Sequence, residues 1–326
     1  MPANLPPMYF EAEKKFRLAK SPQDKIAALE EMLAIMPKHK GTDHLKAELR
    51  RRIAKLTQAA DKKTATQRAS MVIEKEGAAQ VAVIGPPNSG KSQLVTSVTK
   101  ATPNVAAYPF TTQSATPGMM PFENIKIQLI DTPPLAAQRV DFWVPHTLRR
   151  ADALLIVLDL SDAPLEQMED ITAQLRDMRI AIGEGGTEDE QGRTLTWMKS
   201  LIVGNKIDQD NGGENYSDLR EMYQEQLPVV AISASEGTGL KDMKVELYQV
   251  LDIIRVYTKS PGQKPDMEDP IIVARGSTLE DAAAEVHKDF RQKLKFARVW
   301  GSGKHDGVQV KRDHVLQDGD IIELHI

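Results

Sequence analysis

Apolar residues recur along the chain with two different periods, and the change of period divides it. Between residues 8 and 60 the spacing is helical. Ser21 can cap a helix that has Pro22 at its first position and Asp24 at its third, and Ile26, Leu29, Leu33 and Met36 then share one face. Pro37-Lys38-His39-Lys40-Gly41 breaks the pattern, and Thr42 opens another helix with Leu45, Leu49, Ile53 and Leu56 aligned. An antiparallel helical hairpin is predicted. From residue 81 the pattern changes to short apolar runs separated by helical stretches. Strands are read at Val81-Ala82-Val83-Ile84, at residues 125–130, which alternate, at residues 153–159, at Leu201-Ile202-Val203-Gly204 and at Val229-Val230-Ala231-Ile232. Such alternation predicts an α/β fold, a parallel sheet with helices on both faces.

A closing helix is expected from Leu240 to Tyr257, followed by a linker, Lys259-Ser260-Pro261-Gly262-Gln263-Lys264-Pro265. Beyond it, Ile271-Ile272-Val273 reads as a strand and Thr278 to Phe290 as a helix capped by Thr278 with Asp281 three residues on. Strands near 296–300 and 307–310, a turn at Asp318-Gly319-Asp320 and a strand from Ile321 complete the order of a small β-grasp module. The predicted organisation is a helical region (1–77), an α/β domain (78–258), a linker (259–269) and a β-grasp domain (270–326).

The loop after the first strand carries the chemistry. Gly85-Pro86-Pro87-Asn88-Ser89-Gly90-Lys91-Ser92 has the spacing G-x-x-x-x-G-K-S of a phosphate-binding P-loop, between a strand and a helical stretch. Gly85 and Gly90 permit backbone geometry that a Cβ would block. The loop N–H groups can surround phosphates, Lys91 can reach the β- and γ-phosphates, and the Ser92 hydroxyl can ligate Mg²⁺. Asn205-Lys206-Ile207-Asp208 ends a later strand with the pattern N-K-x-D, by which P-loop GTPases read guanine. The Asp208 carboxylate can accept from guanine N1–H and its exocyclic amine, donors that adenine does not offer there. Lys206 would lie along the base, Asn205 would tie this loop to the P-loop, and Ser233-Ala234-Ser235 is similar to the S-A-x loop that contacts the guanine oxygen.

Two further segments would sense the γ-phosphate. Asp131-Thr132-Pro133-Pro134 resembles the D-x-x-G box, in which Asp131 would hold Mg²⁺ through water. Pro134 replaces the usual Gly, whose N–H bonds the γ-phosphate; proline has no N–H, so either Pro134 is not the equivalent position or that contact is absent. In Phe110-Thr111-Thr112 one threonine, expected to be Thr112, would complete the Mg²⁺ shell.

At 41% hydrophobic and 27% charged residues, the composition is that of an ordinary globular protein. Cysteine is absent, so no disulfide framework or Cys-based metal site exists. No apolar run approaches the roughly 20 residues of a membrane helix, and Met1 to Pro7 has no secretory pattern. A cytoplasmic protein without a membrane partner is expected. The net charge of −4 hides a gradient, because residues 1–80 carry 16 basic against 10 acidic side chains. Arg50, Arg51 and Arg52, and in the tail Lys288, Arg291, Lys293, Lys295 and Arg298, form two basic clusters. They read either as solvated faces or as contacts for RNA phosphates.

Together these pieces resemble the developmentally regulated GTP-binding protein family, within the Obg-type GTPases. The residues that carry the resemblance are the P-loop, Phe110-Thr111-Thr112, Asn205-Lys206-Ile207-Asp208, and the run from Tyr9-Phe10-Glu11-Ala12-Glu13-Lys14-Lys15 through Met36-Pro37-Lys38-His39-Lys40-Gly41-Thr42. The tail is similar to that family's TGS domain. Residues 160–199 are too few for the small domain that archaeal and eukaryotic members insert there, so a compact form is expected. The resemblance implies GTP and GDP as ligands, Mg²⁺, low intrinsic GTP hydrolysis, and ribosome or structured RNA as partner rather than DNA. Leu135 stands where Ras-like enzymes place a water-orienting Gln. That matches GTPases with an apolar residue at this place, several of which use K⁺ held by a P-loop Asn; here that is Asn88. The main expectation is therefore a GTP-hydrolysing translation switch. A GTP-binding RNA or ribosome interaction module with incidental hydrolysis is the alternative.

Overall fold

The computed structural model describes residues 6–19, 22–36, 44, 46–55, 73–99, 116–135, 143–183, 185, 188, 192, 194–303 and 305–325. They divide into two compact units, Met1–Val72 and Ile73–Ile326.

The first unit holds α1 (Pro7–Leu18), α2 (Pro22–Ile35) and α3 (46–55). Proline opens both α1 and α2, where its missing N–H has no helical partner to lose. Tyr9, Ala12, Leu29, Met32, Met36 and Leu49 form the core, with Leu33 and Ile53 packed against it. An ion pair from Lys15 to Glu31 at 2.8 Å links α1 to α2. The predicted cap Ser21, the break from Pro37 to Gly41, and Leu45 and Leu56 lie outside the described residues.

The second unit begins with β1 (Ala79–Ile84), α4 (Lys91–Thr99), β2 (Thr116–Phe122), β3 (Ile125–Asp131), α5 (Val144–Arg150), β4 (Ala153–Asp159) and α6 (Pro164–Asp177). It continues through β5 (Ile180–Ile182), β6 (Thr196–Met198), β7 (Ser200–Asn205), α7 (Gly212–Tyr223), β8 (Val229–Ala231) and α8 (Leu240–Leu251). The main sheet has the order β2-β3-β1-β4-β7-β8. The five predicted strands all lie in it and run parallel. Every residue of β1 and β7 is buried, as expected of strands covered on both faces. The antiparallel edge strand β2 was not predicted from the sequence, because Thr116-Pro117-Gly118-Met119-Met120-Pro121-Phe122 contains two prolines. At an edge the missing N–H groups interrupt no ladder.

The C-terminal sheet holds β9 (Ile253–Thr258), β10 (Ile271–Ala274), β11 (Phe296–Trp300), β12 (Val308–Val310) and β13 (Ile321–His325), with α9 (Leu279–Val286) and α10 (Lys288–Lys293) between β10 and β11. Its order is β10-β9-β13-β11-β12, with β9 and β13 parallel at the centre. Leu279, Ala282 and Ala283 of α9 pack on Ile254, Val256, Val273, Val299 and Ile322, which is the β-grasp arrangement. The capping box from Thr278 to Asp281 is formed on both sides.

Three boundaries differ from the sequence reading. The helix expected to reach Tyr257 stops at Leu251, because Asp252 turns into the left-handed region at φ 55°. Ile253 to Thr258 then forms β9, with Ile254 and Val256 facing the C-terminal core, so the boundary expected at 258 falls one strand late. The helix expected from Thr278 to Phe290 breaks at His287, whose backbone is extended. Finally, residues 73–76 run along the sheet, with Gln80 Nε2 donating to the Ile73 carbonyl at 3.2 Å and Lys75 paired with Asp152 at 2.9 Å.

The tip of the β2–β3 hairpin meets the C-terminal sheet. Arg255 donates to Asp318 (Nη2 to Oδ2, 2.7 Å), pairs with Glu123 and lies over the Tyr248 ring at 5.3 Å, while Asn124 Nδ2 donates to the Tyr257 hydroxyl at 2.8 Å. Among the described residues no helix is long and apolar enough to cross a membrane.

Candidate nucleotide site

The carboxyl ends of the central strands deliver the site, as open α/β sheets do. β1 ends at Ile84 and the chain passes through Gly85 at φ 156°, Asn88 at φ 62° and Gly90 at φ 89° before α4 begins at Lys91. A Cβ on Gly85 would stand 2.2 Å from the Val157 carbonyl oxygen, and one on Gly90 would stand 2.3 Å from Asn205 Nδ2. Both positions therefore require glycine for space as well as for conformation.

Lys91 is 5% exposed and donates to the carbonyls of Gly85 (3.1 Å) and Pro86 (2.7 Å). Burial lowers its ammonium pKa to about 8, against the opposing pull of Asp131. The Ser92 hydroxyl donates to Asp131 Oδ2 at 2.5 Å. Burial raises the Asp131 carboxyl, more than the Ser92 bond and the Lys91 charge lower it. Its other oxygen, Oδ1, is buried with no hydrogen-bond partner. A Ser hydroxyl touching a half-buried carboxylate with one unpartnered oxygen is a donor set that fits a hard divalent cation. Among the described residues no group of three His, Cys, Asp or Glu could cage a metal, so such an ion would complete its shell with water and phosphate oxygens.

The turn after Asp131 folds back on the P-loop. Thr132 donates from N (3.3 Å) and Oγ1 (2.7 Å) to the Val83 carbonyl, and Leu135 N donates to the Gly85 carbonyl at 3.2 Å. Pro133 and Pro134 have no N–H. Every backbone donor from 132 to 135 is thus either missing or committed. The Leu135 side chain is buried at 3% exposure and is apolar, so it cannot orient water. Thr111 and Thr112 lie outside the described residues.

On the other side of the P-loop, Asn205 ends β7 at 1% exposure. Its Nδ2 donates to the Ser89 carbonyl at 2.8 Å, and its Oδ1 accepts from Ala234 N at 3.0 Å. One side chain therefore joins the P-loop to the Ser233-Ala234 loop after β8. Asp208 is exposed, and the Ser233 hydroxyl holds its carboxyl below the usual range. Lys206, at φ 67°, ion-pairs with Asp159 at the end of β4. The sequence reading missed Asp159. The signal was its place: it ends a central strand, as Asp131 and Asn205 do.

Asn88 is exposed at the turn of the P-loop. A cavity of about 1170 Å³ lies elsewhere, between α6, β5–β6 and the end of α7, and contains none of these residues. The chemistry of the side chains, not the size of the hollow, marks the site. The basic clusters are partly neutralised. Arg52 bonds Glu48 at 2.5 Å, Arg291 bonds Glu280 at 3.1 Å and Lys293 bonds Asp289 at 3.2 Å, while the Lys288 side chain is outside the described set.

Residues 80–185 match the family of 50S ribosome-binding GTPases, and residues 254–326 match the TGS domain. Over 93% of the chain the sequence is 29% identical to an uncharacterised GTP-binding protein of Methanocaldococcus jannaschii, covering 93% of it. It is also 26% identical to the developmentally-regulated GTP-binding protein 2 of Homo sapiens, over 92% of this chain and 98% of that one. The chain is a relative of the developmentally regulated GTP-binding proteins. The alignments, at 364 and 363 positions, are longer than the 326-residue chain, so these relatives carry residues that this chain lacks. The YchF GTPase of Schizosaccharomyces pombe shares the fold, with a TM-score of 0.52 and 14% identity over 77% of this chain and 99% of that one. The α/β domain is a P-loop GTPase domain and the C-terminal sheet is a TGS domain.

Proposed function

We propose that the protein binds GTP with Mg²⁺, hydrolyses it slowly to GDP and phosphate, and acts as a ribosome-associated switch. The observation that carries the reading is the Asn205 bridge, whose two hydrogen bonds join the phosphate loop to the loop after β8. In this reading the loop from Gly85 through Pro86, Pro87, Asn88, Ser89 and Gly90 surrounds the phosphates with backbone N–H groups, and Lys91 contacts the β- and γ-phosphates. Ser92, Thr112 and, through water, Asp131 would hold Mg²⁺, which supplies charge neutralisation at the phosphates. Asp208 accepts from the guanine, Lys206 lies along it, and Ser233 and Ala234 meet its oxygen. Leu135 leaves the attacking water without a side-chain partner, which favours low intrinsic turnover.

Asn88 is the proposed K⁺ ligand, and K⁺ would take the place of an arginine finger, worth roughly 10³–10⁵ in kcat where a protein supplies one. Phosphate release from GTP is measured in K⁺ and in Na⁺ at equal ionic strength, for the parent and for Asn88→Ala. Faster turnover in K⁺ that disappears with Asn88→Ala supports this role, and equal rates in the two salts remove it. Turnover of ATP at the rate of GTP removes the GTPase reading itself.

A second reading has its own support. The committed donors of residues 132–135 leave no backbone N–H in that turn for a γ-phosphate, which favours a GTP-binding RNA or ribosome interaction module with incidental hydrolysis. Co-sedimentation with ribosomal particles separates the two. A GTP-dependent difference supports the switch, whereas equal binding with GDP and a non-hydrolysable GTP analogue supports the module.

A further inference from the structure

We propose that Asp159 is a positioning residue for guanine recognition: its carboxylate anchors the Lys206 ammonium so that the Lys206 stem stands as a fixed wall beside the base. This rests on the guanine reading above and names a residue that the P-loop and N-K-x-D motifs do not contain.

The sheet sets the geometry. β4 and β7 are neighbours in parallel register, and that register places Asp159 opposite Asn205. Lys206 follows Asn205 in the left-handed region, and its ammonium is bound at Asp159 Oδ2. The carboxylate is itself held. Its Oδ1 accepts from Ser161 N at 3.0 Å and from the Ser161 hydroxyl at 2.6 Å. The Asp159 backbone is clasped by Gln167, whose Oε1 accepts from Asp159 N at 2.9 Å and whose Nε2 donates to Asp159 O at 3.0 Å.

Most surface ion pairs contribute little, because two long, solvated side chains must be ordered to make them. Here the Asp159 side chain is 13% exposed and already fixed, and the Lys206 side chain is 32% exposed. Ordering a lysine stem before the base arrives lowers the entropy lost on binding. Asp208 lies two residues further on, close enough for the Lys206 charge to act on its carboxyl.

The test titrates fluorescent GDP and GTP against the full chain, as parent, Asp159→Asn, Lys206→Ala and the double variant. Loss of one charge-assisted contact predicts that Asp159→Asn weakens GDP and GTP equally, on the order of tenfold. In the Lys206→Ala background the same change is predicted to alter affinity by less than about twofold. Additive effects overturn the proposal, as does tighter binding by Asp159→Asn, which would mean that Asp159 competes for the ammonium. Loss confined to GTP also overturns it, because that would place the effect at the phosphates. Lys206→Met keeps the stem and removes the ammonium without touching Asp159. It should weaken binding as Asp159→Asn does, and parental affinity sinks the idea even where Asp159→Asn folds poorly. A parent that prefers GDP to ADP, with Asp159→Asn unaffected, removes this proposal alone. A parent without that preference removes the guanine reading.

Discussion

Replacing Asn205 with alanine cuts the side chain that spans the site. Two hydrogen bonds are lost, to the Ser89 carbonyl at 2.8 Å and from the Ala234 N–H at 3.0 Å, at a position only 1% exposed. Water cannot readily replace them there, and each buried group left unpaired costs about 1–3 kcal/mol. Some relaxation of both loops is expected, so the combined effect should be about 2–4 kcal/mol. Part of it appears as lost stability of the nucleotide-free protein. The rest appears as weaker binding, since the phosphate and base loops must then be brought together by the ligand. If the ligand must supply about 3 kcal/mol of that ordering, the Kd rises on the order of 100-fold. Urea unfolding without nucleotide and titration with fluorescent GDP measure the two parts. Asn205→Asp provides a control, because it keeps an acceptor for the Ala234 N–H but sets a carboxylate against the Ser89 carbonyl. A loss of stability below about 0.5 kcal/mol with Kd within about twofold of the parent would refute the bridging role.

Three further outcomes follow from the same geometry. The Lys91 pKa is lowered to about 8 in the folded chain from 10.5, so between pH 8 and 10 the unfolded chain binds the extra proton and stability rises with pH. The rise should be about 2–3 kcal/mol in nucleotide-free protein and absent in Lys91→Met, and a flat parental profile in urea titrations contradicts it. Pro134→Gly adds an uncommitted N–H to a turn whose other donors are taken; it should favour a GTP analogue over GDP by about 0.5–1.5 kcal/mol, and an unchanged ratio of Kd values means that this turn does not meet the γ-phosphate. Arg255→Leu removes the bonds to Asp318 and Glu123 at the hairpin tip, costs about 2–3 kcal/mol in thermal unfolding and speeds amide exchange over 119–124, whereas unchanged exchange there shows that the clamp does not hold the hairpin.

Much of this was legible in the sequence because local rules and tertiary packing agreed. The runs 81–84, 153–158 and 201–204 carry no polar side chain because helices cover both faces of the sheet, and the glycine spacing of the P-loop follows from clashes that a Cβ would make with Val157 and Asn205. What escaped depended on position in the sheet rather than on composition. β2 is a strand despite Pro117 and Pro121 because it lies at the edge. The sequence of β9 reads as the end of a helix because α8 precedes it directly, and only the left-handed turn at Asp252 separates them. Asp159 has no motif around it, and its part emerges only when β4 and β7 lie side by side.

The claim that this P-loop protein reads guanine rests on Asp208, and competition between GDP, ADP and XDP for the site tests it most directly. The account predicts that the parent prefers GDP to ADP by at least about 10³-fold, since the adenine edge would leave the carboxylate unpaired. It further predicts that Asp208→Asn loses GDP and gains XDP, because a side-chain amide N–H can meet the xanthine carbonyl where the guanine amine stood. ADP binding within about tenfold of GDP, or an Asp208→Asn variant that still prefers GDP, would contradict it.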